Sequence, residues 1–473
     1  MMTLREIALA AGGSVRDAGR GRQIERVTTD SRRIRPGDLF VALKGERFDG
    51  HAFVEQALAA GATGAVIAES VVTDILAPNS SHGSAPDFAG NDACVTVRDT
   101  RLALGQLARS WRARFSLPLI AVAGSNGKTT VTQMIAAILH EHAGRAGFHT
   151  EGNLNNDIGL PLTLLRLRTQ HSIGVVELGM NHRGEIAYLS GIARPTIALV
   201  NNAQREHQEF MQNVADVAAE NAAAFDFLPH DGTAIVNADD AFREFFIDRA
   251  GGRPVLTFAL ERAADVRGLL DEATLGSHLR LVTANGEADV ALRIAGRHNA
   301  MNAVAAAAAA LAAGVPLATI ARGLAAFEPV AGRLVRMTLP SGAVVLDDSY
   351  NANPDSVRAA IDVLHGVGGR RVLVLGRMAE VGEQGLAFHR EVGAYAREQA
   401  IDALFTLGPE AAEAAAAFGA GAKGYADVDA VIAAARAIAV PGTTVLVKGS
   451  RSARMERVVR ALVGEGAATV ELH

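Results

Sequence analysis

A glycine-rich turn between an apolar strand and a helix constrains this chain more than any other feature of its sequence. Residues 121–130 read AVAGSNGKTT. The apolar run Leu117–Ala123 leads into the turn, and a helical pattern from about Thr129 to His142 follows it. Backbone N–H groups in such a turn, together with the helix N-terminus, form a site for phosphate oxygens. The segment therefore predicts a phosphate-binding loop in an α/β domain.

Four residues of this loop carry the prediction. Gly124 and Gly127 allow backbone angles that other residues disfavour. Lys128 is placed to reach the β- and γ-phosphates, and the Thr129 hydroxyl is placed to bind Mg²⁺. The general pattern G-x-x-x-x-G-K-[ST] is not met, because Val122 occupies the position of its first glycine. Kinases, motors and ligases all use such loops, and an ordinary turn with a solvated lysine is the alternative. The full predicted loop is Gly124, Ser125, Asn126, Gly127, Lys128, Thr129 and Thr130.

Composition excludes several classes of protein. The chain has 473 residues, which at about 150 residues per domain predicts three domains. Its net charge of −5 argues against a protein that coats nucleic acid, and its apolar stretches are far shorter than the ~20 residues of a membrane span. A single cysteine, Cys94, excludes an internal disulfide and a multi-cysteine zinc site. We expect a cytoplasmic protein, because the N-terminus lacks the long apolar stretch of a signal peptide.

Strands alternate with helices along most of the chain, which predicts α/β domains with mostly parallel sheets. The central domain contains the phosphate loop, and the third is a smaller doubly wound domain. In the central domain, Asn285-Gly286 predicts a hairpin turn between strands His278–Thr283 and Ala288–Ile294. The predicted domains are residues 1–97, 98–331 and 332–473.

Polar residues follow the predicted central strands at the edge where parallel sheets bind ligands. Glu177 is at the end of the strand Ile173–Leu178, where a carboxylate beside a nucleotide is a natural Mg²⁺ ligand. Its alternative role is to cap the following turn. His207 follows the strand Ile197–Asn201, and its alternative is an exposed loop histidine.

Other polar residues indicate a nucleotide held between two domains. Asn299 and Asn302 are three positions apart at a predicted helix start, so both amides can face one pocket and pair with an adenine edge. A helix N-cap is the alternative for Asn299. Arg333, at the junction with the third domain, is placed to neutralise a γ-phosphate. Asp348 is placed to contact a ribose hydroxyl.

Six segments, taken together, resemble the Mur ligase family, and the resemblance covers essentially the whole chain. Residues 28–51 are also similar to the family's uridine-nucleotide-binding domain. The resemblance implies a small N-terminal α/β domain that binds the uridine nucleotide, a central P-loop-type ATPase domain with a mostly parallel sheet, and a C-terminal Rossmann-like domain. The segments are GSNGKTT at 124–130, TEGNLNNDIGLPLTLL at 150–165, ELGMNH at 177–182, GRHNAMNAVAA at 296–306, DDSYNANPDS at 347–356 and VLVKGSRSARME at 445–456.

The resemblance implies a cytoplasmic ligase of bacterial peptidoglycan and cell wall synthesis. ATP would phosphorylate the C-terminal carboxylate of a UDP-N-acetylmuramoyl tripeptide, and the amine of D-alanyl-D-alanine would attack the acyl phosphate. Lys128, Arg333 and Mg²⁺ would place positive charge between the two anionic reactants. The expected cofactors are therefore ATP and Mg²⁺, and we expect a monomer with neither nucleic acid nor membrane as a partner.

The resemblance also assigns nucleotide and metal contacts by motif position. Thr129 would bind one Mg²⁺, and Glu177 and His207 a second one. Besides the loop, the implied ATP contacts are Asn299 and Asn302 with adenine, Arg333 with the γ-phosphate and Asp348 with ribose. The implied catalytic residues are Lys128, Glu177, His207 and Arg333.

Substrate contacts are implied in all three domains. Ser31 would contact the uridine diphosphate in the first domain. The muramoyl peptide would lie along one wall of the central domain, and D-alanyl-D-alanine between the central and third domains. The residues assigned to them are Asn153, Asn155 and Asn156 for the peptide, and Asn351 and Asn353, with Tyr350 and residues 377–380, for the dipeptide.

Two positions depart from the family's pattern. Many members carry a carbamylated lysine near the second metal ion, in the helix after the His207 loop, where this chain has Asn221. We expect Glu220 or Asn221 to substitute for it, or the metal ion to keep an extra water. In the third domain, G-R-M at residues 376–378 replaces the family's usual G-D-M, so the role of this loop stays open.

The sequence leaves three alternatives. The diamino-acid-adding member of the family typically carries a D-N-P-R motif, whereas residues 351–356 read NANPDS. Folylpolyglutamate synthase shares the loop type but lacks a domain like residues 1–97. A P-loop motor or regulatory GTPase is the alternative of a different class, and the guanine-reading N-K-x-D motif is not found in this sequence.

Overall fold

The computed structural model describes residues 1–46, 48–71, 91–271 and 277–464. They form three successive α/β units, each built on a mostly parallel sheet, which confirms the predicted fold class. Each of these sheets lies within one of the three predicted domain ranges. In the described ranges, no helix combines the length and apolar character needed to cross a membrane.

The first unit is a small sheet with short helices. Its strands are β1 (Met2–Thr3), β2 (Ser14–Val15), β3 (Gln23–Ile24), β4 (Arg26–Thr28), β5 (Asp38–Val41), β6 (Gly64–Ala68) and β7 (Cys94–Val97), and its helices are Leu4–Ala10 and Val54–Ala59. The sheet order is β2-β7-β6-β5-β4, parallel from β4 to β7, while β1 and β3 form a separate antiparallel pair. Burial raises the pKa of the Cys94 thiol to about 11, so this residue stays protonated and acts in packing.

The central unit has the largest sheet. Its strands are β8 (Leu119–Ala123), β9 (Gly147–His149), β10 (Ile173–Glu177), β11 (Ile197–Val200), β12 (Thr233–Asn237), β13 (Val255–Ala259), β14 (Val266–Leu270), β15 (His278–Thr283) and β16 (Gly286–Ala291). The order is β16-β15-β14-β13-β12-β11-β8-β10-β9, and the strands from β8 to β14 are parallel. The carboxyl ends of β8, β10 and β11 therefore meet at one edge of the sheet.

Helices cover both faces of the central sheet. They are Thr100–Arg112, Lys128–Ala143, Gly159–Leu164, Glu185–Ala193, Val214–Ala222, Arg243–Arg249, Arg297–Ala312 and Leu317–Ala326. The helix Arg297–Ala312 packs closely on Lys128–Ala143, because its alanines in the range 303–310 are small and buried. On the other face, Leu104 and Trp111 belong to the same apolar cluster as Leu4 of the first unit. The first two units thus share one core.

The predicted hairpin is present, but the prediction for its second strand is wrong. Strand β15 has the predicted bounds, whereas β16 is Gly286–Ala291 rather than Ala288–Ile294. Thr283 pairs directly with Gly286, so Ala284 and Asn285 form the turn. The physical reason is that Gly286, with a φ of +115°, supplies its positive φ at the first position of the strand.

The third unit is a doubly wound sheet. Its strands are β17 (Val335–Thr338), β18 (Val344–Asp348), β19 (Arg370–Gly376), β20 (Ala403–Leu407), β21 (Ala422–Tyr425) and β22 (Thr443–Lys448), in the order β17-β18-β22-β19-β20-β21. The β17–β18 pairing is antiparallel, and the pairings from β18 to β21 are parallel. The helices are Pro354–His365, Gly385–Glu398, Pro409–Phe418, Val428–Ile438 and Glu456–Val463. Residues after β18 and β22 line the same cleft as the phosphate loop.

Candidate active site

A cleft of about 1760 Å³ lies between the central and third units. The structure brings most of the predicted site residues to its walls. Four predicted residues are outside its lining. Gly124 is buried at the start of the loop, Ser31 lies in a turn of the first unit, and Arg377 and Met378 lie in the third unit. The predicted residues that line the cleft are Ser125, Asn126, Gly127, Lys128, Thr129, Thr130, Asn153, Asn155, Asn156, Glu177, His207, Asn299, Asn302, Arg333, Asp348, Tyr350, Asn351, Asn353, Ala379 and Glu380.

The phosphate loop connects β8 to the helix Lys128–Ala143, as its sequence predicts. Gly124 has a φ of +128° and Gly127 a φ of +83°, and both angles favour glycine. A Cβ at position 127 would also collide with Oδ1 of Asn302. Both the backbone angle and this contact therefore require glycine at position 127.

Side chains from neighbouring strands and helices hold the loop. The Gly124 N–H donates to Oδ1 of Asn221 at 2.7 Å, and the Asn126 N–H donates to Oδ1 of Asn202 at 2.8 Å. Asn201 donates from Nδ2 to the Asn126 carbonyl at 2.8 Å. These three hydrogen bonds come from the protein itself and fix the backbone of the loop at Gly124 and Asn126.

Lys128 is not solvated, which disfavours the alternative of an ordinary turn with a free lysine. Its Nζ donates to the carbonyls of Gly124 at 2.5 Å and Ser125 at 3.0 Å, and to Oε2 of Glu206 at 3.2 Å. Glu206 is 7% exposed, and its other oxygen has no hydrogen-bond partner in the described part of the chain. No sequence pattern singles out Glu206; the only available signal is its position directly before His207.

Glu177 and Thr129 form a site with the chemistry that Mg²⁺ prefers. Glu177 is 1% exposed, and its Oε1 accepts from the Thr129 hydroxyl at 3.1 Å and from Nδ2 of Asn155 at 2.7 Å. Its Oε2 is buried without a partner among the described residues. A buried carboxylate oxygen that lacks a donor is costly unless a cation completes it. The two residues therefore fit a Mg²⁺ ion, whereas capping of a turn does not account for the unpaired oxygen.

Arg333 reaches the phosphate loop from the junction with the third unit. Its Nη2 donates to the Thr129 hydroxyl at 2.9 Å. Its guanidinium lies 4.5 Å from the centroid of the Tyr350 ring, a cation–π distance. These two contacts hold the guanidinium beside Thr129 of the loop, and its role at a γ-phosphate stays a prediction.

His207 lies between an acid of its own loop and an acid of the third unit. Its Nδ1 is 2.8 Å from Oε2 of Glu380, and its Nε2 is 3.8 Å from Oε2 of Glu206. The interaction with His207 lowers the pKa of Glu380 from its usual value. His207 is therefore not a free loop histidine, and its acidic neighbours are Glu206 and Glu380 rather than Glu177. Its role as a metal ligand stays a prediction.

The two asparagines predicted at the adenine have protein partners. Asn299 donates from Nδ2 to the Ala295 carbonyl at 2.8 Å, and Oδ1 of Asn302 accepts from Nδ2 of Asn201 at 2.9 Å. The helix begins at Arg297, so the alternative of an N-cap at position 299 is wrong. Their role at adenine stays a prediction, and the observed role of Asn302 is to support the loop.

Residues of the third unit that were predicted to bind ligands also contact one another or the loop. Asp348 accepts from Nζ of Lys448 at 2.5 Å. Asn353 caps the helix Pro354–His365 and donates from Nδ2 to Oδ1 of Asn126 at 2.8 Å. Their ligand contacts stay predictions. The Asn353–Asn126 bond shows that the third unit touches the phosphate loop directly.

An ion-pair network fixes the third unit against the central one. The Arg205 guanidinium donates from Nη2 to Asp355 at 2.6 Å and from Nη1 to Glu391 at 2.7 Å. These bonds lower the pKa of Glu391 and raise that of Arg205 from their ordinary values. All three side chains are at most 32% exposed, so the network is more than an exposed surface pair.

At the position of the family's carbamylated lysine, the structure argues against two of the three expectations, Glu220 and Asn221 as replacements, and the third, an extra water on the metal ion, stays a prediction. Glu220 accepts from the backbone N–H groups of Gly184 and Ile186, each at 2.8 Å, and so caps the helix Glu185–Ala193. It does not line the cleft. Asn221 is fully buried and accepts from the Gly124 N–H, as described above. Neither residue faces the cleft as a metal ligand, because both are committed to backbone groups.

Arg377 also differs from the expectation that residues 377–380 lie at the dipeptide pocket. Its side chain is 3.4 Å from Glu410 and lines a separate surface depression with Leu407 and Arg457. Residues 379 and 380 do line the main cleft. The arginine that departs from the family's pattern therefore lies outside the site.

Comparisons with protein families cover all three units. The chain matches models described as the Mur ligase family, catalytic domain at residues 23–112, the Mur ligase middle domain at 122–310 and the Mur ligase, glutamate ligase domain at 332–451. It is 41% identical over 447 residues to the UDP-N-acetylmuramoyl-tripeptide–D-alanyl-D-alanine ligase of Escherichia coli, with 94% of each chain covered. The enzyme of the same name from Bacillus subtilis is 34% identical, with 93% of each chain covered.

Solved structures agree with these matches. A crystal structure of MurF from Acinetobacter baumannii is 33% identical, with a TM-score of 0.86, and the match covers 98% of this chain and 99% of that one. MurF ligase from Thermotoga maritima in complex with ADP is 25% identical, with a TM-score of 0.76, and the match covers 93% and 97%. The three-unit architecture is therefore shared along nearly the full length of these proteins. Through its domains and its relatives, the chain belongs to the Mur ligase family.

Proposed function

We propose that the chain is the ATP-dependent ligase that joins D-alanyl-D-alanine to a UDP-N-acetylmuramoyl tripeptide in the cytoplasmic synthesis of peptidoglycan precursor. The names of the E. coli and B. subtilis relatives support the two substrates. The main structural support for this chemistry is that Lys128, Thr129 and Arg333 lie together at one end of a cleft between two units. Such a cleft can hold two anionic reactants side by side and limit their exposure to water.

The first step is phosphoryl transfer to a carboxylate. A carboxylate oxygen of the tripeptide bonds to the γ-phosphorus of ATP while the bond to the bridging oxygen of ADP breaks. Both reactants are anions, so positive charge must lie between them. Lys128 supplies it from the loop and Arg333 from the junction with the third unit, once the phosphates replace the carbonyl and carboxylate partners that Lys128 has in this structure.

Mg²⁺ is the cofactor that the site fits. Thr129 and Glu177 would hold it, through the hydroxyl and the buried oxygen without a partner. Among the described residues, no three His, Cys, Asp or Glu side chains form a metal-binding group, which suits an ion that keeps waters and phosphate oxygens as ligands. When bound, the ion supplies Lewis-acid stabilisation of the charge that develops on the phosphate oxygens.

The second step is attack of the dipeptide amine on the acyl phosphate. The nitrogen bonds to the carbonyl carbon and gives up one proton to solvent, and the tetrahedral intermediate breaks its bond to the bridging oxygen and expels phosphate. We assign the tripeptide to the wall formed by Asn153, Asn155 and Asn156, and the dipeptide to the side formed by Asn351 and Asn353. Ser31 remains the proposed contact for the uridine diphosphate in the first unit.

Omission of each substrate in turn tests this function. We expect no appreciable phosphate release unless ATP, Mg²⁺, the tripeptide nucleotide and D-alanyl-D-alanine are all present, because the site is assembled from two units. A coupled phosphate-release assay measures this. Replacing D-alanyl-D-alanine with a diamino acid, together with the matching dipeptide nucleotide, is the control for the alternative ligase. ATP turnover at full rate without the dipeptide would contradict the proposal.

A further inference from the structure

Two loops with unusual backbone angles meet across the cleft beside the phosphate loop. His207 has a φ of +47° and Glu380 a φ of +61°, angles that residues other than glycine rarely adopt. The Glu209 N–H donates to the Glu380 carbonyl at 3.3 Å, so the loops also touch through their backbones. Such angles cost free energy and persist where the surrounding structure enforces them. Here the two residues with these angles, His207 and Glu380, contact each other.

The two ring nitrogens of His207 lie beside different acids, Nδ1 beside Glu380 and Nε2 on the side of Glu206. Nδ1 lies 2.8 Å from Oε2 of Glu380, a hydrogen-bond distance, although it has no hydrogen bond of accepted geometry among the described residues. Hydrogen bonds in a site are often poorly aligned until substrates bind. Nε2 lies 3.8 Å from Glu206, beyond hydrogen-bond distance.

A carboxylate beside one ring nitrogen favours the tautomer that carries its proton on that nitrogen. For His207, the favoured proton position is therefore Nδ1, next to Glu380. The lone pair of Nε2 is then available on the side of Glu206 and Lys128, where the proposed reaction takes place.

The loop that carries Glu380 is held from behind by a buried histidine. His389 is fully buried; its Nε2 accepts from the Met378 N–H at 3.0 Å, and its Nδ1 lies 2.7 Å from the Gly385 carbonyl. Ser450 donates from its hydroxyl to the Arg377 carbonyl at 2.9 Å. The loop is thus fixed to the third unit, and the position of Glu380 follows the position of that unit.

We propose that Glu380 is a positioning residue for the ligase reaction, which orients His207 when the third unit lies against the central one. The inference rests on the proposed function, because it requires that His207 acts in the cleft. The carboxylate comes from one unit and the imidazole from the other, so the oriented histidine exists only in the assembled arrangement. Through Glu380, the orientation of His207 in the site therefore depends on the position of the third unit.

A double-mutant cycle tests this role. The variants are Glu380→Ala, His207→Ala and the double variant, with Glu383→Ala as a matched control, because Glu383 is a nearby exposed acid outside the cleft lining. We expect Glu380→Ala to lower kcat by about 10–100-fold, the range seen when the partner that orients a site histidine is removed. The KM for ATP should change little. In the double variant, the loss should equal that of His207→Ala alone.

Nitrogen-15 NMR of labelled histidines reports the tautomer of His207. That tautomer would not change if Glu380 had only a structural role. The His207 signals, identified by their loss in His207→Ala, should show the Nδ1-protonated tautomer in the wild type and lose that preference in Glu380→Ala. Glu380→Gln keeps an acceptor and should recover part of kcat. Multiplicative losses in the cycle, an unchanged tautomer or a wild-type kcat in Glu380→Ala would each overturn the inference. Failure of the wild type to ligate the two substrates would instead overturn the proposed function.

Discussion

Lys128→Ala is expected to lower kcat by about 10²–10³-fold, the scale of losing one preorganised charge-stabilising donor. The loop keeps its shape without the side chain, because Asn221 and Asn202 hold its N–H groups. The lost cation is one of the two that the proposed mechanism places at the transferring phosphate. Steady-state phosphate release measures the effect. Lys423→Ala is the matched control, since Lys423 is an exposed lysine of the third unit away from the cleft.

A measurement of thermal stability distinguishes loss of catalysis from loss of structure in Lys128→Ala. The Lys128 side chain is only 14% exposed and pairs with the buried Glu206. Its removal leaves that carboxylate without a cation, which destabilises the fold. The double variant Lys128→Ala with Glu206→Gln should recover thermal stability but stay inactive. A single variant with a near wild-type rate would refute the role of the loop lysine.

Arg333→Ala is expected to lower kcat on a similar scale, about 10²–10³-fold, because a second cation at the phosphate is lost. Arg333→Lys keeps the charge but loses the planar fork that reaches Thr129 and stacks on Tyr350. It should therefore recover only part of the rate. Arg336→Ala, at an exposed position on β17, is the control. The measurement is kcat and the KM for ATP in each variant.

The outcome for Arg333 decides whether the junction with the third unit contributes to chemistry. A kcat within about threefold of wild type in Arg333→Ala would place the arginine outside the reaction and contradict its proposed role at the transferring phosphate. A loss confined to the KM for ATP would assign it to nucleotide binding alone, because removal of a group that stabilises the transition state lowers kcat.

Local patterns in the sequence were enough to predict the phosphate loop. Strand, glycine turn, Lys128 and helix follow one another without interruption, so nearest-neighbour chemistry determines the arrangement. The position of Glu177 was predictable for a related reason, because it ends a buried strand whose carboxyl end must face the ligand. The start of β16 could not be predicted, because the sequence leaves open whether Gly286 belongs to the turn or to the strand.

Contacts between distant segments could not be predicted from the sequence. Glu206 lies in a polar stretch with no periodic signal, and only the folded chain places it against Lys128. The orientation of the helix Val214–Ala222 decides that Asn221 faces Gly124 while Glu220 caps another helix, and that orientation depends on tertiary packing. Glu380 was included only within a loosely assigned range, because its partner belongs to a different unit.

Activation of a carboxylate by phosphorylation before amide formation, as proposed for this chain, has a direct isotopic test. The tripeptide nucleotide is prepared with oxygen-18 in its C-terminal carboxylate and incubated with ATP, Mg²⁺ and D-alanyl-D-alanine, and the released phosphate is analysed by mass spectrometry. One carboxylate oxygen becomes the bridge to phosphorus and leaves with phosphate when the amine attacks. We expect one oxygen-18 atom per phosphate from doubly labelled carboxylate. Unlabelled phosphate, formed along with the ligated product, would contradict it.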